Sequence, residues 1–96
     1  MADYIITPNA ETDIDEILGF IASDNLDAAV AFHKRLSNLF ETLAENPKIG
    51  RKRPELKSGL RSFVEGNYLV FYREWAGIVA ILKVLHSARD VEEIFG

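Results

Sequence analysis

The 96-residue sequence predicts one α+β domain with the element order β-α-α-β-β-β, in which a helical hairpin packs on one face of a small, mainly antiparallel sheet. Three observations predict this fold. Two long segments in the first half carry apolar residues at helical spacing, and three apolar runs in the second half are separated by short turns. The apolar fraction of 48% is enough for one packed core, so a single domain is expected over residues 1–96.

The first half is predicted to form one short strand and two helices. Residues 4–6 are an apolar run typical of a strand, which is expected to pair at one edge of the sheet. Thr7 can cap a helix that begins at Pro8, and Asn25 can cap a second helix that ends at Asn46-Pro47. The apolar stripes of the two helices are Ile14, Ile17, Leu18 and Ile21, then Ala29, Phe32, Leu36, Leu39, Phe40 and Leu43.

The second half is predicted to be a loop followed by a β-meander. Residues 48–58 have no hydrophobic period, so a loop is expected there. Strand signals follow at residues 60–65, 68–72 and 78–85, with turns at 66–67 and 75–77, and Asp90 can cap a last helical turn. Because the helices cover one face and the central strands are apolar on both, a second apolar face is expected to be free for a partner.

Composition excludes several classes of function. The chain has no cysteine, which rules out disulfides, cysteine zinc sites and thiol catalysis. His33 and His86 are too few for a metal site without several carboxylates, so no metal or cofactor is expected. No apolar run is long enough to span a membrane and no signal peptide is visible, so a cytoplasmic location is expected. The net charge of −4 argues against direct nucleic-acid binding by the chain alone.

Charge is distributed unevenly along the chain. Residues 1–46 carry a net charge of −7 and residues 47–96 a net charge of +3. Most of the basic excess lies in residues 47–61, where Glu55 is the one carboxylate among six basic side chains. This segment is either a solvated loop that complements the acidic helices, or a surface for an acidic partner.

Four segments of the sequence resemble the ParE-type toxins of the ParE/RelE superfamily, which come from bacterial toxin–antitoxin operons. Each segment is weak evidence by itself, but their order and spacing are fairly specific, and with the helical hairpin the resemblance covers nearly the whole chain. The segments are LAENPKIGR at 43–51, RPEL with GLRSF at 53–56 and 59–63, GNYLVFYR at 66–73, and VLHSARD at 84–90.

The resemblance implies a cytoplasmic toxin that poisons DNA gyrase, acts by binding rather than catalysis, and serves in plasmid stabilisation. It also implies a ParD-like antitoxin whose C-terminal segment wraps around the toxin and lays apolar side chains on it. An inactive relative that only sequesters antitoxin would have the same sequence features.

The alternative is a RelE-like, ribosome-dependent mRNA endonuclease. Cleavage of RNA through its own 2′-hydroxyl needs an acid/base, for which His86 is the candidate, and cations such as Arg61 and Arg89 for the phosphate. His86 also fits a structural role or a contact with a partner. Against this alternative, Tyr68 stands where many RNases of the superfamily carry a basic residue, and the lysine-rich helical segment of RelE is missing.

The candidate partner-binding residues combine basic and aromatic side chains. Tyr68 and Tyr72 have the same parity on one strand, and one of them is expected in the core and the other at an interface. Arg61 is singled out because the strand that follows the loop would hold it rigidly. The full set is Arg51, Arg53, Arg61, Tyr68, Tyr72, Arg73 and His86.

Overall fold

The computed structural model describes residues 3–87, which form two helices and a five-stranded open mixed sheet. The helices pack on one face of the sheet, so the predicted α+β fold is confirmed. No helix in residues 3–87 is long and apolar enough to cross a membrane. In chain order the elements are β1 (Tyr4–Ile6), α1 (Pro8–Asp24), α2 (Leu26–Glu45), β2 (Arg51–Lys52), β3 (Arg61–Glu65), β4 (Tyr68–Trp75) and β5 (Ile78–His86).

The strands follow the spatial order β1-β5-β4-β3-β2. Three antiparallel pairs join β2 to β3, β3 to β4 and β4 to β5, and the last two are the pairs that the consecutive hairpins predict. β1 lies at the edge and pairs with β5 in parallel, with Tyr4 opposite Val79. The first and last described strands therefore lie side by side, with the first at the edge of the sheet.

Both helices begin at the predicted caps. The Thr7 hydroxyl accepts a hydrogen bond from the Ala10 amide at 3.4 Å, and Pro8 occupies the first turn, where its missing N–H costs nothing. Asn25 is the one residue between the helices. Its backbone N–H donates to the Ile21 carbonyl and its side chain accepts from the Ala28 amide, so it ends α1 and starts α2. The hairpin angle is fixed without a loop.

The main core lies between the hairpin and the sheet. The predicted stripe of α2 is buried throughout, whereas in α1 Ile14 is buried and the rest of the stripe is partly buried. Tyr4 of β1 packs edge-on against Phe40 at 5.7 Å between ring centroids. The sheet contributes Val70, Tyr72, Val79, Ile81 and Val84 to this core.

The predicted loop at residues 48–58 is wrong at two positions. Arg51 and Lys52 pair with Ser62 and Arg61 as the edge strand β2. A two-residue strand has too little hydrophobic alternation to be recognised, because its pairing partners rather than its own composition define it. β4 also extends to Trp75, which the sequence placed in a turn, and the turn itself is Ala76-Gly77, with both φ angles positive.

The second sheet face is more covered than the sequence predicts. Phe71 and Leu85 are buried there, and the loop before β3 covers them by packing Leu56 and Leu60 onto the strands. The correction has a physical reason, since two leucines in an aperiodic segment gave no sign that the loop folds back. Val64, at 62% exposure, is the large apolar residue that this arrangement leaves most open in β3.

A β-bulge changes which face the end of β5 presents. Phe71 and Tyr72 pair with Lys83 and Ile81, so Leu82 is left without an opposite residue. By simple alternation Leu82 and Val84 would both share a face with His86, but the bulge separates Leu82 from the other two. Val84 lies in the helix-side core, whereas Leu82 packs on the second face. The interpretations of Arg89 and Asp90 lie outside the described residues.

Candidate partner-binding surfaces

The segment between α2 and β2 is held by a buried tyrosine. The Tyr72 hydroxyl donates to the Pro47 carbonyl at 2.8 Å and accepts from the Gly50 amide at 2.8 Å. The side chain is completely buried, and this burial raises the pKa of the Tyr72 phenol above its ordinary value of 10.0. Of the two predicted tyrosines, Tyr72 is thus the one in the core.

Gly50 and Arg61 complete the fixation of this segment. A Cβ atom at Gly50 would overlap the Tyr72 ring and hydroxyl, so only glycine allows this close approach. Arg61 donates from Nη1 to the carbonyl oxygens of Lys48 at 3.2 Å and Gly50 at 2.9 Å. The guanidinium that the sequence singled out for a partner is therefore engaged with the backbone of its own chain.

Arg53 is similarly engaged within the molecule. Its Nε donates to Glu55 at 2.8 Å, its Nη1 donates to the Ser62 hydroxyl at 3.2 Å, and its guanidinium lies over the Phe71 ring. The hydrogen bond from Arg53 is the main reason that the pKa of the exposed Glu55 carboxyl is lowered. The cation thus satisfies Ser62 and covers an aromatic ring in the second face.

Other basic side chains of the same region are exposed and uncommitted. Within residues 3–87, their charged groups make no hydrogen bond or salt bridge. We call them the basic edge: Lys48, Arg51, Lys52, Lys57 and Arg73. Beside them a cleft of about 260 Å³ is lined by Lys52, Pro54, Gly59, Leu60, Arg61 and Glu74.

A second candidate surface lies on the outside of the helical hairpin. Phe20, Leu26 and Val30 are 74%, 68% and 62% exposed, and we call them the hairpin patch. Leu26 and Val30 border an open, mostly apolar groove of about 420 Å³ between α1 and α2. The groove is open, and its lining includes the small residues Gly19, Ala22 and Ala29.

Sequence reasoning missed the hairpin patch, although a signal existed. Phe20, Leu26 and Val30 are large apolar residues that fall off the stripes predicted to face the core. Single exposed apolar residues are common, so each one carries little information. The informative feature is that Leu26 and Val30 line one groove, whereas Phe20 lines the pocket beside His86.

His86 lies well apart from Arg61, one of the two arginines proposed to assist it. It pairs with Tyr68, and the two rings meet edge-on at 5.4 Å between centroids. Arg61 pairs with Tyr72, four residues further along β4, which corresponds to about 13 Å of strand. The exposed His86 is therefore not brought together with Arg61, and Arg89 lies outside the described residues.

Among the described residues, the charged side chains that line the pocket beside His86 are acidic. A pocket of about 250 Å³ beside it is lined by Asp13 and Glu16 together with apolar side chains of α1 and β5. Asp13 accepts from the Val84 amide at 3.1 Å and pairs with Lys83 at 3.4 Å, at the point of β5 where β1 has ended. Negative charge at this site does not favour a bound phosphate.

No group of three histidine or acidic side chains in residues 3–87 is arranged to hold a metal ion.

Tyr68 is half-buried against Phe32, at 5.0 Å between ring centroids, with one side toward the pocket beside His86. Of the seven predicted partner-binding residues, Arg51, Arg73 and His86 are exposed, Arg53 and Tyr68 are partly buried, and Arg61 and Tyr72 hold the segment before β2.

Comparison with known proteins adds the following similarities. The family model described as the ParE toxin of the type II toxin–antitoxin system parDE matches residues 4–91. Toxin ParE1 of Mycobacterium tuberculosis is 30% identical over 91 residues, covering 93% of each chain. Toxin ParE3 of Caulobacter vibrioides is 31% identical over 97 residues, covering 100% of this chain and 97% of its own.

Two solved structures share the fold. A chain of the chromosomal ParDE toxin–antitoxin system from P. aeruginosa superposes with a TM-score of 0.76 at 18% identity, covering 90% of this chain and 96% of that one. A chain of the toxin–antitoxin complex RelBE2 from Mycobacterium tuberculosis superposes with a TM-score of 0.59 at 29% identity, covering 88% and 96%.

Proposed function

The chain belongs to the ParE family of type II toxin–antitoxin toxins, and we propose that it inhibits DNA gyrase and is neutralised by a ParD-like antitoxin. The match over residues 4–91 carries this proposal, because it spans both helices and all five strands. Gyrase acts on DNA in the bacterial cytoplasm, so the proposal places the chain there.

The two candidate surfaces support action by binding rather than by catalysis. The hairpin patch exposes large apolar side chains of the kind that anchor protein interfaces. His86, the candidate acid/base, stands beside carboxylates and away from Arg61. A toxin that acts by binding needs interface surfaces for its partners and no acid/base beside a cation.

The hairpin patch is the surface we assign to the antitoxin. A segment that is disordered when free can fold on a shallow groove and place apolar side chains along it. The groove beside Leu26 and Val30 is almost wholly apolar, so its burial supplies favourable free energy with few hydrogen bonds to satisfy. Substitutions in the hairpin patch should therefore weaken neutralisation by the antitoxin without altering toxicity.

A pair of matched variants tests this assignment. In Leu26→Glu/Val30→Glu, two charges enter the groove, and the antitoxin encoded beside the toxin gene is expected to bind at least about tenfold more weakly. Thr12→Glu/Asn38→Glu adds the same two charges at exposed positions toward the other end of the hairpin and serves as the control. Equal antitoxin affinity for both variants would contradict the assignment.

The target is tested with purified gyrase, relaxed plasmid and the antitoxin-free chain. The expected result is loss of supercoiling together with trapped, cleaved plasmid. Circular dichroism first establishes that the sample is folded. No effect from a folded sample would contradict the gyrase proposal.

The RelE-like endonuclease is a second candidate because the chain is also similar to the RelBE2 complex. It predicts ribosome-dependent mRNA cleavage that primer extension detects, and loss of that cleavage in His86→Ala. Because His86 is exposed, this variant is expected to fold, so an unchanged toxicity would exclude catalysis by His86.

A further inference from the structure

The basic edge and the hairpin patch lie on different parts of the molecule and have opposite character. The residues of the basic edge are exposed cations drawn from the segment before β2, from β2, from the loop between β2 and β3, and from β4. The hairpin itself is acidic, with nine carboxylates against two basic residues over residues 1–46. The basic edge is therefore a localised field on a chain whose net charge is −4.

We propose that the basic edge contacts the phosphates of the DNA duplex that gyrase holds, so that the toxin binds the gyrase–DNA complex more tightly than gyrase by itself. This inference rests on the proposed function and adds a second ligand to it. The DNA is read through its charge, not its sequence, because the contacts come from flexible lysine and arginine side chains.

The structure favours phosphates over an acidic peptide at this surface. A peptide interface needs apolar anchors in a groove to reach useful affinity. Half of the residues that line the cleft next to the basic edge are instead charged, namely Lys52, Arg61 and Glu74. The apolar groove lies between the two helices, away from these strands.

The backbone that carries several cations of the basic edge is held by hydrogen bonds and strand pairing. Tyr72 and Arg61 hold the backbone from Pro47 to Gly50, and β2 pairs with β3 immediately afterwards. Where β2 pairs, Arg51 and Lys52 point to opposite faces of the sheet edge. Arg73 approaches the same region from β4, since its guanidinium lies 3.9 Å from the position of a Cβ atom at Gly59.

The acidic net charge of the chain makes DNA binding through the basic edge depend on a second contact, with gyrase. This net charge opposes free association with DNA, so the basic edge alone is too weak a ligand. Once the toxin is seated on gyrase, the bound DNA is at high effective concentration, and even weak phosphate contacts then contribute to affinity.

The test compares the affinity of the full chain, labelled at its amino terminus, for gyrase with and without a bound DNA duplex. In Lys57→Gln/Arg73→Gln two cations of the basic edge are neutralised, and in Lys34→Gln/Arg35→Gln the same two residue types are neutralised on α2. All four side chains are exposed, so both variants are expected to fold. Lys57→Arg/Arg73→Lys keeps the charges.

The unaltered chain is expected to bind the gyrase–DNA complex more tightly than DNA-free gyrase. Lys57→Gln/Arg73→Gln is expected to bind the gyrase–DNA complex about tenfold more weakly, with no change in its affinity for DNA-free gyrase. The α2 control and the charge-conserving variant should behave like the unaltered chain. Equal binding with and without DNA, or equal losses in the two neutralised variants, would overturn the inference. No binding of the unaltered chain to gyrase would instead refute the proposed function. Weaker binding of Lys57→Gln/Arg73→Gln to DNA-free gyrase would show that the basic edge contacts protein, and would also overturn the inference.

Discussion

The helical hairpin and the segment from Pro47 to Arg61 are stabilised in different ways. The hairpin is held by apolar contacts distributed along two helices, whereas the segment combines the packing of two leucines with polar contacts made by Tyr72, Arg61 and Arg53. The outer surfaces differ as well, since the hairpin exposes apolar side chains and the segment exposes cations. Each region has its own kind of support and its own kind of partner surface.

The largest expected effect concerns the hairpin. Phe40 is almost completely buried and packs against Tyr4 of the edge strand. Phe40→Ala leaves a cavity in the core and is expected to lower the free energy of unfolding by about 3–5 kcal/mol. Urea denaturation measures this loss. Phe20→Ala, which truncates an exposed phenylalanine of the same hairpin, is the control and should change stability by less than about 1 kcal/mol.

A smaller but more localised effect is expected in the polar segment. Tyr72→Phe keeps the ring in the core but leaves the Gly50 amide and the Pro47 carbonyl without their partner. We expect a loss of about 1–3 kcal/mol in unfolding free energy.

Hydrogen exchange separates this effect from general destabilisation. The Gly50 amide should exchange faster in Tyr72→Phe, whereas amides in the middle of α2 should change no more than the global stability does. Uniform acceleration across both regions would contradict the separate support proposed for them. A Gly50 amide as protected as before would mean that another group replaces the hydroxyl.

The same tyrosine gives a pH prediction. Burial raises the pKa of Tyr72 in the folded chain above 10.0, so the unfolded chain releases this proton more readily. The contribution is complete below about pH 10 and is lost as the pH rises through the folded-state pKa. The unfolding free energy should therefore fall more steeply above pH 10 in the unaltered chain than in Tyr72→Phe. Parallel pH profiles would contradict this assignment, because the two chains differ at residue 72 alone.

The smallest expected effect concerns a glycine in α1 of the hairpin. Gly19 lies in the middle of α1, and a Cβ atom placed there meets no atom within 4 Å. Gly19→Ala is expected to raise the unfolding free energy by about 0.5–1 kcal/mol, because glycine costs that much in a helix interior. Thermal denaturation measures the gain. A loss of stability would show that the groove beside Gly19 is more crowded than described.

The sequence predicted the regular elements well, because caps and hydrophobic periods are local signals. Thr7, Pro8 and Asn25 lie where the helix starts require them, and the buried stripe of α2 matches its predicted period. The second sheet face was not predictable in this way. Leu56 and Leu60 cover it from a loop, and neither residue belongs to any repeating pattern.

The candidate site was predicted less completely, since residue type does not reveal which cations are engaged internally. Arg61 and Arg73 were both predicted to bind a partner, but Arg61 binds backbone carbonyls and Arg73 is exposed. The bulge in β5 likewise moved Val84 to the helix side, because a single unpaired residue reverses the alternation that follows it.

The parallel pairing of β1 with β5 has a consequence for synthesis of the protein. Ile6 pairs with Ile81, so the first strand must wait on the ribosome until the last described strand has been made. At the usual speed of translation this wait is about 4–15 s. During that time the hairpin has no sheet to pack on, and a chain released early would lack the strand that joins β1 to the rest. Unfinished copies are thereby kept from completing the sheet.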